Sequence, residues 1–199
     1  MKKIFSLILL CLSATLPAAS AAPEVVDEMS MTLEENIAYP RIAAKKAAHV
    51  RKAMTELRRK LADRKFRATL DRDGEVVCVT IPAADLFRAN SREVSPEGRR
   101  VLESLTRYVS HREQFKVLVA VHSDDTGDEQ YSDELTSDRA NAIDDYFNSA
   151  AGREVNLIPY GIGRDEPVGG NATVKSRAAN RRVEIFFVPT IAYIKHLTK

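Results

Sequence analysis

One acid and one base in this sequence, Asp124 and Arg139, have the types and spacing that could bind a small charged molecule. Asp124 closely follows an apolar run from Phe115 to Val121, which is typical of a strand covered on both faces. Arg139 lies on the helix predicted next, and long side chains on a helix lean toward its N-terminus. Arg139 can therefore project back toward the loop that holds Asp124. A carboxylate and a guanidinium in one cleft suit a zwitterionic amino-acid head group.

Capping and turn signals predict the elements that must position this pair. The helix that carries Arg139 has apolar residues at helical spacing and a predicted N-cap at Ser132. Ser95–Pro96 predicts the start of an earlier helix, and Asp73–Gly74 predicts the turn of a β-hairpin. The predicted strands are residues 66–70, 75–81, 115–121, 154–160 and 181–188, with a polar loop before the last one. This order predicts an α+β fold, a two-layer sandwich of a mixed β-sheet with helices on one face.

Residues 1–21 have the composition of a secretory signal peptide. Lys2 and Lys3 form a basic start, an apolar core follows, and the small residues before Ala22 provide a cleavage site. Cys11 offers the alternative of a lipid anchor, but Leu10 is bulky where lipoprotein signals have a small residue. We therefore predict export without lipidation. After the signal, the sequence predicts no helix that is long and apolar enough to cross a membrane.

The next segment, residues 22–67, is predicted to precede the folded domain. Residues 22–40 are rich in acids and contain two prolines, which predicts a mobile leader. Residues 41–67 have apolar positions at helical spacing among many Lys and Arg, which predicts a basic amphipathic helix. Its apolar stripe could pack on the domain or on a second copy, or its basic face could contact an anionic surface. The domain itself is predicted over residues 68–190, and residues 191–199 form a tail that could be a short helix.

The charge balance excludes some classes of partner, and the cysteine content excludes stabilisation by an intrachain disulfide. The chain has 30 Lys and Arg against 28 Asp and Glu, and removal of Lys2 and Lys3 with the signal balances the two. The mature protein is therefore not a general binder of polyanions, and nucleic acid is not expected as a partner. Cys78 is the only cysteine after the signal, so an intrachain disulfide is not possible.

Catalytic, metal and dinucleotide sites are each poorly supported. His122, Ser123 and Asp124 are adjacent, and side chains alternate sides in an extended chain, so they cannot form a triad as neighbours. His122 and Asp124 could begin a metal site, but further ligands are not evident, and we predict a hydrogen-bonded histidine at a strand end. The acidic loop lacks the ligand spacing of a calcium loop. Gly161–Gly163 lacks a third glycine and a following helix for a pyrophosphate. We predict no enzyme activity, no metal and no cofactor.

Several short motifs recur in an order that is typical of one known family. Residues 122–127 read His-Ser-Asp-Asp-Thr-Gly, and residues 135–140 read Leu-Thr-Ser-Asp-Arg-Ala. Further matches are Leu86–Phe87, residues 95–98, residues 160–163 with Pro167, and residues 180–185. From near residue 68 to residue 188, the sequence resembles the OmpA C-terminal-like domain. This is the peptidoglycan-binding module of outer-membrane protein A, peptidoglycan-associated lipoprotein and flagellar stator proteins.

The resemblance implies a function and a set of site residues. It implies non-covalent binding of peptidoglycan through the meso-diaminopimelate of the stem peptide, which would link a cell-envelope protein or assembly to the cell wall. The implied location is the periplasm, at the cell wall and near the outer membrane. Asp124 and Arg139 match the family's two principal contacts. Asn180 and Arg181 match a motif lining the same cleft, and Asn90 and Thr126 hold loop positions that are predicted to contribute.

Three residues depart from the family pattern. Val121 replaces a glycine, Ser123 replaces a threonine, and Ser132 replaces an asparagine that usually supports the ligand. The two serines keep hydroxyl or capping chemistry. Val121 could crowd the approach to the backbone, and the missing amide at residue 132 could weaken binding.

Two alternatives to cell-wall binding remain open from the sequence. Asp124 and Arg139 could simply pair with each other and stabilise the loop and the helix, which at an exposed position would contribute little. The protein could also be an envelope adaptor that has lost cell-wall binding. Such an adaptor would bind a protein partner, or form a homodimer, through residues 41–67.

Overall fold

A five-stranded mixed β-sheet organises the computed structural model, which describes residues 26–199. The strands are β1 (Arg67–Asp71), β2 (Val76–Pro82), β3 (Phe115–His122), β4 (Leu157–Gly163) and β5 (Arg182–Pro189). The helices are α1 (Leu33–Ala38), α2 (Ala44–Asp63), α3 (Ala83–Leu86), α4 (Pro96–Val109), α5 (Glu129–Ala151), α6 (Val174–Asn180) and α7 (Ile191–His196). The predicted signal peptide and Cys11 lie outside the described residues.

The sheet order is β1-β2-β5-β3-β4. β5 is antiparallel to both β2 and β3, whereas β3 and β4 are parallel neighbours joined through α5. The crossover from β2 through α4 to β3 therefore passes over one strand, because β5 lies between the two. This mixed sheet with its helices confirms the predicted α+β class.

The larger hydrophobic core lies between the sheet and the long helices. Alternate residues of β3, namely Val117, Val119 and Val121, point to this side and are fully buried. Helices α4 and α5 meet them with buried side chains such as Leu105 and Phe147. The start of α4 is fixed as the sequence predicts, since the Ser95 hydroxyl accepts a hydrogen bond from the backbone N–H of Gly98 at 2.9 Å.

The opposite face of the sheet is covered by a segment for which the sequence predicts mobility. Residues 28–40, here called the N-terminal segment, form a 3-10 turn and then α1. Thr32 and Glu35 form a capping box at the start of α1. Leu33 and Ile37 then pack on Leu118 and the neighbouring apolar residues of this face. The prediction of a mobile leader is therefore wrong for this segment, because the exposed apolar face of the sheet offers it a surface to bury.

Buried polar contacts also hold the N-terminal segment to the sheet. Lys116 of β3 is only 2% exposed, and its ammonium donates to Asn36 Oδ1 at 2.7 Å and to the Tyr39 carbonyl at 3.1 Å. Its Nζ also lies 3.5 Å from a Glu28 carboxylate oxygen. The Asn36 amide in turn donates to the hydroxyl of Tyr160 on β4 at 2.6 Å. Burial lowers the pKa of Lys116, and Glu28 opposes that shift.

Replacing Asn36 with Ala is expected to lower the free energy of unfolding by about 2 kcal/mol, because it leaves part of the hydrogen-bonding capacity of the buried Lys116 unsatisfied. Urea unfolding monitored by circular dichroism measures the change. Glu34→Gln, at an exposed position on the same helix, is the matched control. Equal midpoints for the two variants would show that the N-terminal segment does not contribute to stability in this way.

Helix α2 forms inside the range that the sequence predicts, and its apolar stripe packs into the core of the same chain. Val50, Met54 and Leu61 are fully buried in the main core. The basic side chains remain on the solvent side, where Arg59 pairs with Glu56 and Asp63. A homodimer or protein partner could therefore contact the basic face of α2 but not its buried stripe.

Three local predictions differ from the structure. The turn between β1 and β2 is a short 3-10 turn, Arg72–Gly74, with positive φ at all three residues, instead of a two-residue hairpin turn. Helix α5 begins earlier than predicted because Asp128, not Ser132, is the N-cap and accepts from the Tyr131 N–H at 3.1 Å. The predicted polar loop before β5 contains α6, which starts at a capping box formed by Thr173 and Ser176.

Across residues 26–199, none of the helices has both the length and the apolar character that crossing a bilayer requires. The same residues contain no cluster of three or more His, Cys, Asp or Glu side chains arranged to hold a metal ion.

Candidate ligand-binding site

A cavity of about 410 Å³ opens where β3 ends and α5 begins. Its walls come from α3 and the loop that follows it, the loop after β3, the first turns of α5, and Arg181 between α6 and β5. The lining residues are Ala83, Ala84, Phe87, Arg88, Ala89, Asn90, Ser123, Asp124, Thr126, Tyr131, Ser132, Leu135, Arg139 and Arg181. Asp124 and Arg139 thus face one cavity, as the sequence predicts.

Asp124 is held in place by its own loop and by a distant arginine. It is 6% exposed, and its Oδ1 accepts the backbone N–H of Thr126 at 3.0 Å. Its Oδ2 pairs with a guanidinium nitrogen of Arg181. Burial by itself raises the pKa of Asp124, but the Thr126 and Arg181 hydrogen bonds outweigh it, so the pKa lies below its ordinary value. The carboxylate is therefore ionised at neutral pH and has one oxygen facing a cation.

Arg139 is a buried guanidinium that no acid among the described residues pairs with. It is 7% exposed, and within residues 26–199 it forms no ion pair within 4 Å. Its Nε donates to the Ser91 carbonyl at 2.8 Å, and its Nη2 donates to the Arg88 carbonyl at 3.3 Å. The guanidinium carbon lies 4.8 Å from the centre of the Phe87 ring. Burial lowers the pKa of Arg139, and Tyr131 opposes that shift. The group is positioned by neutral partners and keeps its charge available.

The loop after α3 supplies those neutral partners. Phe87 pairs with Val94 in an isolated antiparallel bridge, and the Ser95 N–H donates to the Leu86 carbonyl at 2.8 Å. Between these anchors the chain reverses at Asn90, which has a positive φ of 56°. The reversal brings the carbonyls on either side of Asn90 to the Arg139 guanidinium.

The two principal residues do not pair with each other. The alternative of a structural Asp124–Arg139 ion pair is wrong for this structure, since the partner of Asp124 is Arg181. Arg139 is therefore free to accept an anion that enters the cavity. The sequence did not predict the Asp124–Arg181 pair, because it joins residues that are remote along the chain.

The other predicted site residues separate into two groups. Thr126, Asn90 and Arg181 line the cavity together with Asp124 and Arg139. Asn180 does not line it and is fully buried. The Asn180 side chain accepts the backbone N–H groups of Val168 and Gly169, both at 3.0 Å, and donates to the Gly169 carbonyl at 2.9 Å. Asn180 thus fixes the loop before α6 and does not face the cavity.

The departures from the family pattern leave the cavity open. Val121 is fully buried in the main core, opposite Gly161 of β4 and Val183 of β5, and it does not line the cavity. Ser132 does line it, but its hydroxyl donates to the Asp128 carbonyl at 3.1 Å. The serine therefore stabilises the first turn of α5 and leaves the cavity volume to a ligand.

Sequence reasoning did not identify the apolar wall of the cavity. Phe87, Leu135 and the alanines of α3 form this wall beside Arg139. In the sequence, Leu86–Phe87 is only a family match, and its spacing does not indicate that the Phe87 ring lies against Arg139. Tyr131 contributes a half-exposed aromatic side chain at the rim.

His122, at the end of β3, lies under the site beside two acids. Its Nε2 is 3.2 Å from a Glu184 oxygen, but the direction is poor for a hydrogen bond, so the predicted hydrogen-bonded histidine is not found. Its Nδ1 is 4.0 Å from Glu166. Arg182 donates its Nε–H to Glu184 at 2.9 Å. Burial alone raises the pKa of Glu184, yet His122 and Arg182 more than offset it and lower the pKa to about 2.

The low pKa of Glu184 predicts a loss of stability in acid. The folded state keeps this carboxylate ionised down to a pKa of about 2, whereas the ordinary value is 4.5. The ionised Glu184 therefore makes its full contribution to the free energy of unfolding above pH 4.5, and this contribution decreases as the pH falls toward 2. Glu184→Gln is expected to flatten the dependence of the unfolding free energy on pH between 5 and 3, measured by urea titration. Glu129→Gln, which removes an exposed pair with Arg164, serves as control. Identical slopes for all three proteins would contradict this assignment.

The α+β domain thus presents an arginine and an aspartate to one cavity. Residues 86–181 match the sequence profile of the OmpA family. This match over residues 86–181 confirms the resemblance drawn from the motifs.

Individual relatives agree with this assignment. The outer-membrane lipoprotein YfiB of Pseudomonas aeruginosa is 33% identical over 100 residues, which are 50% of this chain and 60% of the relative. The chain thus spans about three fifths of the length of that relative. A MotB-like protein from Desulfovibrio vulgaris superposes with a TM-score of 0.65 over 73% of this chain and 96% of the other, at 21% identity, which supports the fold. The cell wall anchor of the T6SS from Pseudomonas aeruginosa superposes with a TM-score of 0.55 at 26% identity, over 69% of this chain and 96% of the other.

Proposed function

We propose that this domain binds peptidoglycan non-covalently through the meso-diaminopimelate of the stem peptide and so links a cell-envelope protein to the cell wall. The side chain of that residue ends in one carbon that bears both an ammonium and a carboxylate. The observation that carries the proposal is the buried Arg139, which has no acidic partner in residues 26–199 and lines the same cavity as Asp124.

Arg139 is the proposed site for the ligand's carboxylate. A buried charge without a counter-ion is costly, and a carboxylate that enters the cavity reduces this cost. Because Nε and Nη2 are held by the carbonyls of Ser91 and Arg88, the guanidinium plane is fixed before the ligand arrives. A preorganised guanidinium loses little freedom on binding and can form two charge-assisted hydrogen bonds.

Asp124 is the proposed site for the ligand's ammonium. Its Oδ1 is held by the Thr126 N–H, and its Oδ2 faces a cation that the ligand's ammonium can replace. The apolar wall of Phe87 and Leu135 suits the methylene chain that joins the two ends of a diamino acid. The side-chain hydroxyl of Thr126 and the amide of Asn90 lie at the rim, where they can contact the rest of the stem peptide.

The relatives support a role in the cell envelope. One is an outer-membrane lipoprotein and another is a cell wall anchor of a secretion assembly. A periplasmic location at the cell wall, near the outer membrane, agrees with both. We infer that the chain anchors an envelope component to the wall.

Competition with stem peptides tests the proposal. Purified sacculi are incubated with the protein and pelleted, and the bound fraction is measured with increasing L-Ala-γ-D-Glu-meso-diaminopimelate. The matched competitor carries lysine in the third position, which keeps the ammonium and lacks the carboxylate on the same carbon. We expect release by the first peptide and little by the second. Equal release by both, or retention that neither peptide reduces, would reject this ligand.

A further inference from the structure

The charged side chains around the cavity do not balance. Within the described part of the chain, Asp124 is the only acid that lines it, whereas Arg88, Arg139 and Arg181 are all cationic. Among residues 26–199 no acid pairs with Arg139, and Arg181 shares the one carboxylate that lines the cavity. A ligand with one ammonium and one carboxylate would satisfy Asp124 and Arg139 but would leave the charge of Arg181 without a partner.

Arg181 can change partners while its backbone stays fixed. Its N–H donates to the Arg177 carbonyl at 3.1 Å, and its own carbonyl accepts from the Ala83 N–H at 3.0 Å. The side chain of Arg181 is 44% exposed, in contrast to 7% for the side chain of Asp124. The guanidinium therefore reaches Asp124 from the solvent side, and a rotation of the side chain is enough to release it.

We propose that Arg181 determines specificity by binding a second carboxylate of the ligand. The ligand's ammonium displaces Arg181 from Asp124 Oδ2, and the released guanidinium then faces the bound molecule. The site consequently prefers a group with one ammonium and two carboxylates. If the proposed function holds, on which this inference rests, the preferred ligand is a stem peptide that ends at diaminopimelate with its α-carboxylate free. A peptide in which that carboxyl forms an amide is bound less tightly.

Arg181 is expected to have opposite effects on the binding of the free acid and of the amide. Toward the free acid, Arg181 gains a carboxylate in exchange for the one it gives up. Toward the amide, Arg181 is only a competitor for Asp124, because nothing replaces the lost partner. Removal of the guanidinium should therefore weaken binding of the acid and leave binding of the amide unchanged or stronger.

Isothermal titration of the full chain without its signal compares two peptides, L-Ala-γ-D-Glu-meso-diaminopimelate and the same peptide with its C-terminal carboxyl amidated. The two differ by one charge and hardly in size. We expect the wild-type protein to prefer the free acid by about fivefold, since a half-exposed ion pair contributes modestly. Arg181→Gln should reduce this ratio to near one. Arg92→Gln, which removes a half-exposed guanidinium that does not line the cavity, is the matched control and should keep the ratio.

The outcomes separate this inference from the proposed function. Equal affinity of the wild-type protein for acid and amide would overturn the role of Arg181 while leaving the diaminopimelate site intact. An unchanged preference for the free acid in Arg181→Gln would also overturn it. Failure of both peptides to bind the folded wild-type protein would instead reject the proposed function itself.

Discussion

Replacing Arg139 with Ala is expected to reduce retention by sacculi about 100-fold, because truncating one partner of a buried charge pair typically costs about 2–5 kcal/mol of binding. The fold should survive the change. Arg139 is buried and has no acidic partner among residues 26–199, so its removal also removes the cost of burying a charge. We expect the midpoint of thermal unfolding to change little, measured by circular dichroism on the same preparations.

Two further variants make this result specific to the guanidinium fork. Arg92→Ala removes an exposed arginine from the same loop region, where it pairs with Asp138, and should retain wild-type binding. Arg139→Lys keeps the charge but loses the planar fork and one of the carbonyl contacts. Its affinity for sacculi should therefore lie between those of the wild type and Arg139→Ala. Wild-type retention by a folded Arg139→Ala protein would show that the cavity is not the cell-wall site.

Replacing Gly161 with Ala is expected to lower the free energy of unfolding by about 3 kcal/mol, at the upper end of the usual cost of overpacking. An added Cβ would lie 2.4 Å from the backbone N and 2.6 Å from the Cα of Ser137 on α5. Backbone atoms cannot rotate away, so β4 and α5 would have to separate. The Gly163 N–H donates to the Thr136 hydroxyl at 3.0 Å across the same contact and would be strained as well.

Gly170→Ala provides the comparison for this prediction. A Cβ there meets nothing within 4 Å, and the residue does not have a positive φ. The free energy of unfolding of Gly170→Ala should therefore remain within about 0.5 kcal/mol of the wild-type value. Because α5 carries Arg139, the Gly161 variant should also bind sacculi less well at temperatures where it is still folded. Equal unfolding midpoints for the two alanine variants would contradict the close contact of β4 and α5.

The sequence alone determined the elements that local patterns control. The apolar run at β3 and the Ser95 cap are signals between near neighbours, and each formed where predicted. The meeting of Asp124 and Arg139 was also predictable, because both belong to one strand–loop–helix unit. Side-chain direction on a helix is a local property, and it sufficed to place the arginine beside the loop.

Only the tertiary structure decided which charges pair and which stay free. Arg181 meets Asp124, the carbonyls of Arg88 and Ser91 meet Arg139, and Gly161 meets α5, all through contacts between distant parts of the chain. The N-terminal segment has the composition of a leader, yet it folds on a sheet face that exists only after the strands assemble. Ion pairs and hydrogen bonds depend on distance and direction in space, whereas a sequence pattern records only order along the chain. Packing therefore paired Asp124 with Arg181 and left Arg139, in the same cavity, without an acidic partner in the described part of the chain, and that arrangement gives the cavity its chemistry.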